Sequence, residues 1–218
     1  MNGLSHIQLM HLCSNVFPTG MFTHSFGLEG ILAMGKAGDK EKFQEYLRGI
    51  LASGAMRTDT AMVRFTYEQP ERLVWWDSLC TGLKPARELR MASEKTGKAF
   101  LKAVGAMYPQ VKEKCEELNT GNYAPVFALT CKELKIPLQE ALEAYLTGTM
   151  LSIVQVAIKL IPLSQVEGQI VMKDLYDAME KCIQEVLEME EEDMVSFTPM
   201  ADIASMYHES LEARMYMS

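Results

Sequence analysis

The sequence predicts an all-α fold, a single-domain bundle of about eight to ten helices. Apolar side chains recur at helical spacing along most of the chain. No segment alternates apolar and polar side chains over a useful length, and β-branched residues are sparse, as is typical of a protein without strands. A chain of 218 residues can bury a substantial core, and its length fits one domain better than two.

Nine longer segments carry the helical pattern, and Asp39 and Thr198 are suited to cap two of them. These segments are 4–12, 40–54, 60–69, 73–82, 86–104, 123–136, 138–161, 170–189 and 199–218. Brief helical pieces are predicted at 31–34 and 111–118, a turn at 162–169 and an acidic loop at 190–193. Gly97 is expected to interrupt its helix and to let another element approach closely. The second half of segment 138–161 is apolar nearly all round, which predicts central burial or a subunit interface.

A glycine-rich stretch, residues 16–30, separates the first helix from the rest of the chain. Pro18, Gly20, Gly27 and Gly30 predict sharp changes of direction within it. Aromatic and aliphatic side chains lie between these residues, whereas a solvated linker would be polar. We therefore expect the stretch to fold back onto apolar surface, with its glycines at points of close backbone approach.

Composition excludes several classes of protein. The net charge of −8 argues against non-specific nucleic-acid binding, which requires an excess of Lys and Arg. Five scattered Cys without a CxxC pair are typical of a reducing cytosol. The N-terminus lacks the features of a signal peptide, and the most apolar run, 150–163, is short and contains Gln155 and Lys159. We expect a cytoplasmic protein that does not span a membrane.

Motifs that would indicate catalysis are incomplete. The spacing from Gly30 to Lys36 is that of a phosphate-binding loop, but Ala37 replaces the hydroxyl residue and no strand precedes it. His208 and Glu212 lie one helical turn apart, but two ligands are too few for a tight metal site, so a solvated helix face is favoured for them. No catalytic residue, resident metal or tightly bound cofactor is predicted.

The seventeen Met residues favour an adaptable surface that binds protein partners, although most of them are expected to fill the core. An alternative is an all-α binding module for a small apolar ligand. That alternative requires an enclosed apolar pocket inside the bundle.

Three stretches together resemble the urease accessory protein UreF family. The first carries the pattern P-x-G-x-F-x-x-S-x-G-L-E, from Pro18 to Glu29. The second, 144–169, is similar to the family's A-Y-L … K-L-x-P-L-G-Q segment, and the third, 201–218, is similar to its D-I-x-S-M-x-H-E ending. A weaker match covers 77–101. The resemblance extends in order over nearly the whole chain.

The chain departs from the family pattern at His24, Phe26 and Ser164, and the region around Ala128 and Leu129 lacks an expected Gly. Ser164 stands where the family has Gly, which leaves open whether the turn there needs an unusual backbone angle. None of the departures removes a catalytic group, because the family is not thought to have one.

The resemblance implies a maturation factor and not an enzyme. It implies an all-α homodimer that joins a UreD/UreH-type accessory protein and the GTPase UreG on apo-urease, with GTP on UreG and nickel passing in transit. Glu29 and Lys159 are the residues expected to bear on the GTPase or to line a nickel route. Residues 199–218 are expected to dock the UreD/UreH-type partner. The residues expected to contribute are Tyr207, His208, Arg214, Met215, Tyr216 and Met217.

Overall fold

The computed structural model describes residues 3–14, 16–196, 199–209, 211 and 215–216. Within these residues the fold is all-α, as predicted, with twelve α-helices and no strand. The α-helices are α1 (Gly3–Leu12), α2 (Leu28–Ala33), α3 (Lys40–Ser53), α4 (Ala55–Glu68), α5 (Leu73–Gly82), α6 (Arg87–Met107), α7 (Pro109–Lys114), α8 (Tyr123–Glu133), α9 (Leu138–Leu160), α10 (Gln165–Lys173), α11 (Tyr176–Glu188) and α12 (Pro199–His208). Short 3₁₀ turns cover Met21–Thr23, Pro70–Arg72 and Glu191–Asp193. The number exceeds eight to ten because the chain forms several helices of only two turns.

Helix α8 lies at the centre of the bundle. Its residues 123–131 are all buried, and α4, α6 and α9 pack around it. Aromatic rings fill the space between these helices: Phe100 lies against Phe127 with centroids 5.9 Å apart, and Tyr123 stacks on Tyr145 at 5.4 Å. Large buried aromatic rings contribute much of the hydrophobic stabilisation of such a core.

Helix α9 is the one helix, in the part of the chain that the structure describes, that is long and apolar enough to cross a membrane. However, 61% of its most apolar window is buried inside the fold. Its apolar second half packs within the chain, where Met150, Ile153, Val154 and Ala157 are fully buried. This is the arrangement of a core helix in a soluble protein.

Helix α6 receives a close neighbour at Gly97, as expected. A Cβ atom at this position would lie 2.1 Å from the carbonyl oxygen of Gly121. The expected interruption is wrong, because α6 runs through Gly97 without a break. The loop that approaches is fixed by Asp77 of α5, whose carboxylate accepts hydrogen bonds from the backbone N–H groups of Thr120, Gly121 and Asn122.

The predicted helix 170–189 is divided in two, and the predicted turn at 162–169 is shorter. Ser164 caps α10 through a reciprocal capping box, in which its hydroxyl accepts from the Glu167 N–H and the Glu167 carboxylate accepts from the Ser164 N–H. The pattern Ser-x-x-Glu that signals this cap is present in the sequence. With φ of −70°, Ser164 needs no glycine-like backbone angle.

Other boundaries differ less. Asp39 caps α3 as predicted, by accepting from the Lys42 N–H at 2.9 Å. Helix α7 ends at Lys114, before the predicted boundary, and the expected acidic loop contains a 3₁₀ turn. The predicted cap Thr198 lies outside the described residues. The prediction of one helix to the end of the chain is wrong, since α12 ends at His208 and Tyr216 lies in a bend.

Candidate functional site

The glycine-rich stretch brings α2 and α12 into direct backbone contact. A Cβ atom at Gly30 would lie 1.9 Å from the carbonyl oxygen of Ala204, and one at Gly27 would lie 2.7 Å from the Ser205 hydroxyl. Only glycine lets two helices approach this closely. The expectation of close backbone approach in this stretch is therefore confirmed, and the neighbour is the C-terminal helix.

The turn before α2 uses left-handed backbone angles. Gly27 has φ of +84°, and Phe26 has φ of +52°, which is unusual for a residue with a bulky side chain. The Tyr46 hydroxyl donates to the Phe26 carbonyl at 3.0 Å and so holds this turn against α3. The turn places Glu29 in the first turn of α2, facing α12.

Glu29 meets His208 and Glu88 in a buried polar cluster. His208 Nε2 lies 2.9 Å from Glu29 Oε2, and His208 Nδ1 lies 2.6 Å from Glu88 Oε2. The His208 side chain is fully buried, and the side chains of Glu29 and Glu88 are 9% and 7% exposed. The three residues come from α12, α2 and α6, so the cluster joins the two ends of the chain to its middle.

The tail after α12 returns to the same cluster. Both oxygens of the Glu29 carboxylate accept backbone hydrogen bonds, from the Met215 N–H at 2.9 Å and from the Tyr216 N–H at 3.0 Å. Burial, followed by the charge of Glu29, raises the pKa of the Tyr216 hydroxyl. We call Glu29, Glu88, His208 and the backbone of Met215 and Tyr216 the tail clasp.

The structure corrects one interpretation of His208. A solvated helix face was favoured for it, but the ring is buried and both nitrogens contact carboxylates. Glu212, its expected neighbour, lies outside the described residues. His208 is buried because it ends the helix that contacts Gly30, so its environment depends on contacts that are distant in sequence.

An exposed apolar surface lies on the other side of α12. It consists of Met200, Ile203, Met206 and Tyr207, which are 45–52% exposed. At 3.6 residues per turn these four positions lie within about 120° of one another around the helix. We call them the α12 face. Met215, at 71% exposed, adds apolar surface in the tail.

The remaining predicted residues are separate from the tail clasp or lie outside the described residues. Lys159 is exposed in the last turn of α9, where a positive charge suits the helix dipole. Among the described residues, no hydrogen bond or ion pair joins it to Glu29. Arg214 and Met217 lie outside the described residues. Of the predicted set, the structure brings together Glu29, His208 and the backbone of the two tail residues 215 and 216.

A second buried charge pair lies near the centre of the bundle. The Lys84 amine donates to Asp59 Oδ1, and it lies 3.1 Å from the Cys80 sulfur. Burial favours the neutral amine, but the neighbouring Asp59 raises the pKa of Lys84, so the lysine stays charged. Burial raises the pKa of the Cys80 thiol to about 11, which leaves it protonated and unreactive at neutral pH.

This pair borders an internal cavity of about 40 Å³, lined mostly by apolar side chains together with Thr96. Such a volume has room for a water molecule or two, whereas a cavity that binds benzene is about 150 Å³. A larger groove of about 830 Å³ between α2, α3 and α12 is open to solvent. Neither of these two cavities is the enclosed apolar pocket that a binding module for a small apolar ligand requires.

The described part of the chain contains no group of three or more His, Cys, Asp or Glu side chains placed to hold a metal ion. The segment with phosphate-loop spacing forms α2 and the turn after it, and its first glycine packs against Ala204. It is therefore an element of helix packing.

Sequence reasoning missed the role of Glu88. The weaker family match included it, but no local pattern signals that it contacts a histidine 120 residues later. The lone acidic residue in the first turn of α6 is consistent with simple dipole stabilisation. Only the packing of α12 on α6 distinguishes the two roles.

The geometry defines an all-α protein whose C-terminal tail is anchored on an N-terminal glycine-rich turn. The UreF family model matches residues 37–176, and the chain belongs to the UreF family. It is 30% identical to the urease accessory protein UreF of Paenarthrobacter aurescens strain TC1, over the full length of both chains. It is 31% identical to that of Corynebacterium glutamicum strain R, with 96% of each chain covered, and 29% identical to that of Bacillus sp. strain TB-90, with 97% and 98% covered.

These similarities extend across the glycine-rich stretch and α12, which the family model alone does not reach. The family assignment supports a role in urease maturation. The relatives are named accessory proteins and not enzymes, which suggests a non-catalytic role.

Proposed function

We propose that this protein is a scaffold for nickel insertion into apo-urease. It forms a homodimer in the cytoplasm, binds a UreD/UreH-type accessory protein and the GTPase UreG, and the assembly couples GTP hydrolysis to nickel delivery. The single observation that carries the proposal is the full-length similarity to proteins named urease accessory protein UreF. Nickel passes in transit, and the nucleotide belongs to UreG.

The α12 face is the proposed docking surface for the UreD/UreH-type partner. Methionine and tyrosine side chains suit protein interfaces, because Met adapts its shape and Tyr combines apolar area with a hydroxyl group. The four side chains are half-exposed on one side of a helix whose other side is fixed against Gly30. Met215 extends this surface. Arg214 and Met217 stay proposed contacts of the same partner.

Glu29 is proposed to act on the GTPase indirectly. Its carboxylate is buried and already accepts hydrogen bonds from two tail residues, so it affects the GTPase by holding the tail that is proposed to dock the UreD/UreH-type partner. Lys159 is exposed and free to contact a partner directly. His208 contributes to docking in the same indirect way, by fixing the end of α12.

Self-association requires a surface other than the apolar half of α9, because that half is filled by contacts within the chain. Helix α1 offers one. Leu4, Ile7 and Met10 are 64–67% exposed and recur every three residues along it. We propose that the homodimer uses surface of this kind.

The test is reconstitution of urease activation. Apo-urease, nickel, GTP and the other accessory proteins are mixed with and without this protein, and the urease activity that appears is measured. The proposal expects little activation when this protein is left out and restored activation when it is added back. Equal activation in both mixtures would refute the proposal.

A further inference from the structure

The two hydrogen-bond contacts of the His208 ring require more N–H donors than a neutral imidazole has. Its two ring nitrogens lie 2.9 Å from Glu29 Oε2 and 2.6 Å from Glu88 Oε2. An ionised carboxylate only accepts hydrogen bonds, and a neutral imidazole donates from one nitrogen alone. With a neutral ring and two carboxylates, one nitrogen lone pair would face an oxygen lone pair at hydrogen-bond distance.

Glu29 is placed to accept hydrogen bonds on both of its oxygens. Both oxygens of that carboxylate accept backbone N–H groups, from Met215 and Tyr216, and Oε2 also faces His208 Nε2. The extra proton therefore lies on the ring or on a carboxylate that contacts it. An imidazole is a stronger base than a carboxylate, so the ring holds it.

We propose that His208 is an imidazolium held between Glu29 and Glu88, and that its proton keeps the tail clasp closed. Both nitrogens then donate, and each carboxylate receives a charge-assisted hydrogen bond, the stronger kind. A fully buried cation between two carboxylates has the partners that burial of charge requires.

Among the described residues, four charged or titratable groups near this cluster are relevant to its charge balance. Glu29 faces the ring from α2, Glu88 from α6, and Tyr216 lies beside Glu29 in the tail. On α12 itself, Asp202 is buried six residues before His208. Burial, followed by the charge of Asp202, raises the pKa of Tyr46 on α3. Lys95 of α6 acts on another buried residue, His24, whose pKa is lowered to about 4 by burial first and by this lysine second.

Loss of the proton has a defined structural consequence. A neutral His208 has one N–H group, so one of its two carboxylates loses its hydrogen bond from the ring and is repelled. If Glu29 moves away, the hydrogen bonds from the Met215 and Tyr216 N–H groups go with it. That this would release the docking tail rests on the proposed function, whereas the proton count does not.

The primary test is the protonation state of the ring, measured in the full chain labelled with ¹⁵N-histidine. Long-range ¹H–¹⁵N spectra at about pH 8 distinguish an imidazolium from a neutral ring. We expect the doubly protonated pattern for His208, and the exposed His6 and His11 serve as internal controls. Loss of one signal in His208→Gln assigns it. A neutral His208 at this pH overturns the proposal.

A pair of variants on α6 tests the role of Glu88 without changing the histidine. Glu88→Gln removes one flanking charge, and we expect the neutral pattern for His208 in this variant at the same pH. Glu94→Gln is the matched control, because Glu94 pairs with Lys98 at the surface of the same helix. The same protonation pattern of His208 in both variants would overturn the role given to Glu88.

The link to the tail is measured separately, as the rate at which a carboxypeptidase removes Tyr216 at neutral pH, followed by mass spectrometry. We expect severalfold faster removal in Glu88→Gln than in Glu94→Gln or the unmodified chain. Equal rates with an imidazolium present would overturn the claim that the proton holds the tail. Neither result depends on partner docking. A failure of the urease reconstitution can therefore be distinguished from a failure of the proposal about the His208 proton.

Discussion

Gly30 and Ala204 are in backbone contact, with only 1.9 Å between the place where a Cβ of residue 30 would lie and the carbonyl oxygen of residue 204. This contact joins the N-terminal glycine-rich turn to the C-terminal helix. It thereby sets the position of Glu29, one residue earlier, against His208, four residues after Ala204. The tail clasp depends on this approach.

Gly30→Ala should therefore separate α2 from α12. Because backbone atoms must shift, we expect a loss of about 1–3 kcal/mol in the free energy of unfolding. Gly148→Ala is the matched control: it lies in helix α9 with nothing within 4 Å of the added Cβ, and it should stabilise the protein by about 0.5–1 kcal/mol. Urea unfolding of the two variants measures both changes. Equal stability of the two would contradict the packing described.

The hydrogen bonds of Asp77 should make the free energy of unfolding depend on pH in the acid range. Burial raises its pKa, but hydrogen bonds from Thr120 and Asn122 outweigh burial and place the pKa below its usual value. A carboxyl group whose pKa is lowered by folding adds stability above its unfolded pKa, and this stability is lost as pH falls through the folded pKa.

Asp77→Asn should destabilise the protein at neutral pH by about 1–3 kcal/mol, since an amide cannot accept from all of these donors. The difference from the unmodified chain should shrink as pH falls below the usual pKa range of Asp and through the lowered pKa of Asp77. Urea unfolding at several pH values checks this, with the exposed Asp177→Asn as control. A difference that stays constant with pH would show that Asp77 does not supply the acid dependence.

Glu29→Ala removes the acceptor of three donors, the ring of His208 and the backbone N–H groups of Met215 and Tyr216. We expect it to lower urease activation and to change the GTP turnover of UreG, because the tail loses its anchor. Glu45→Ala, at an exposed position of α3, is the control. Thermal unfolding run beside the assays separates a misplaced tail from an unfolded chain. Unchanged urease activation and unchanged GTP turnover would show that Glu29 does not have the role proposed for it.

The α12 face can be tested with a charge. Ile203 is half-exposed, so Ile203→Asp should leave the fold intact. It should weaken binding of the UreD/UreH-type partner by at least about tenfold, or about 1.4 kcal/mol. Val166→Asp, at a more exposed apolar position on α10, should not weaken it. Calorimetric titration measures the affinities, and circular dichroism checks the fold. Equal affinities would place the docking surface elsewhere.

Much of the fold follows from local patterns in the sequence. Helical spacing located the longer helices, and Asp39 marked the start of α3. The apolar side chains among the glycines correctly indicated a turn folded onto the protein. The capping box at Ser164 was equally local and could have been read.

The candidate site depends on contacts that no local pattern contains. Glu29 and His208 are 179 positions apart, and Glu88 and His208 are 120 apart. Spacing suggested an exposed surface for His208, because a histidine near the end of an amphipathic helix is usually solvated. Its burial follows from the glycines that let α2 and α12 touch, and only the folded chain shows which residues meet there.

The most direct test of the central claim is light scattering on a size-exclusion column. The intact chain and a variant lacking residues 214–218 are run alone, and then with the UreD/UreH-type protein and UreG in the presence of GTP and Mg²⁺. We expect the intact chain to be a dimer that forms a larger complex with its partners. The shortened chain should keep its fold but stay apart from them. An intact chain that remains a monomer and ignores both partners, or a shortened chain that assembles equally well, would contradict it.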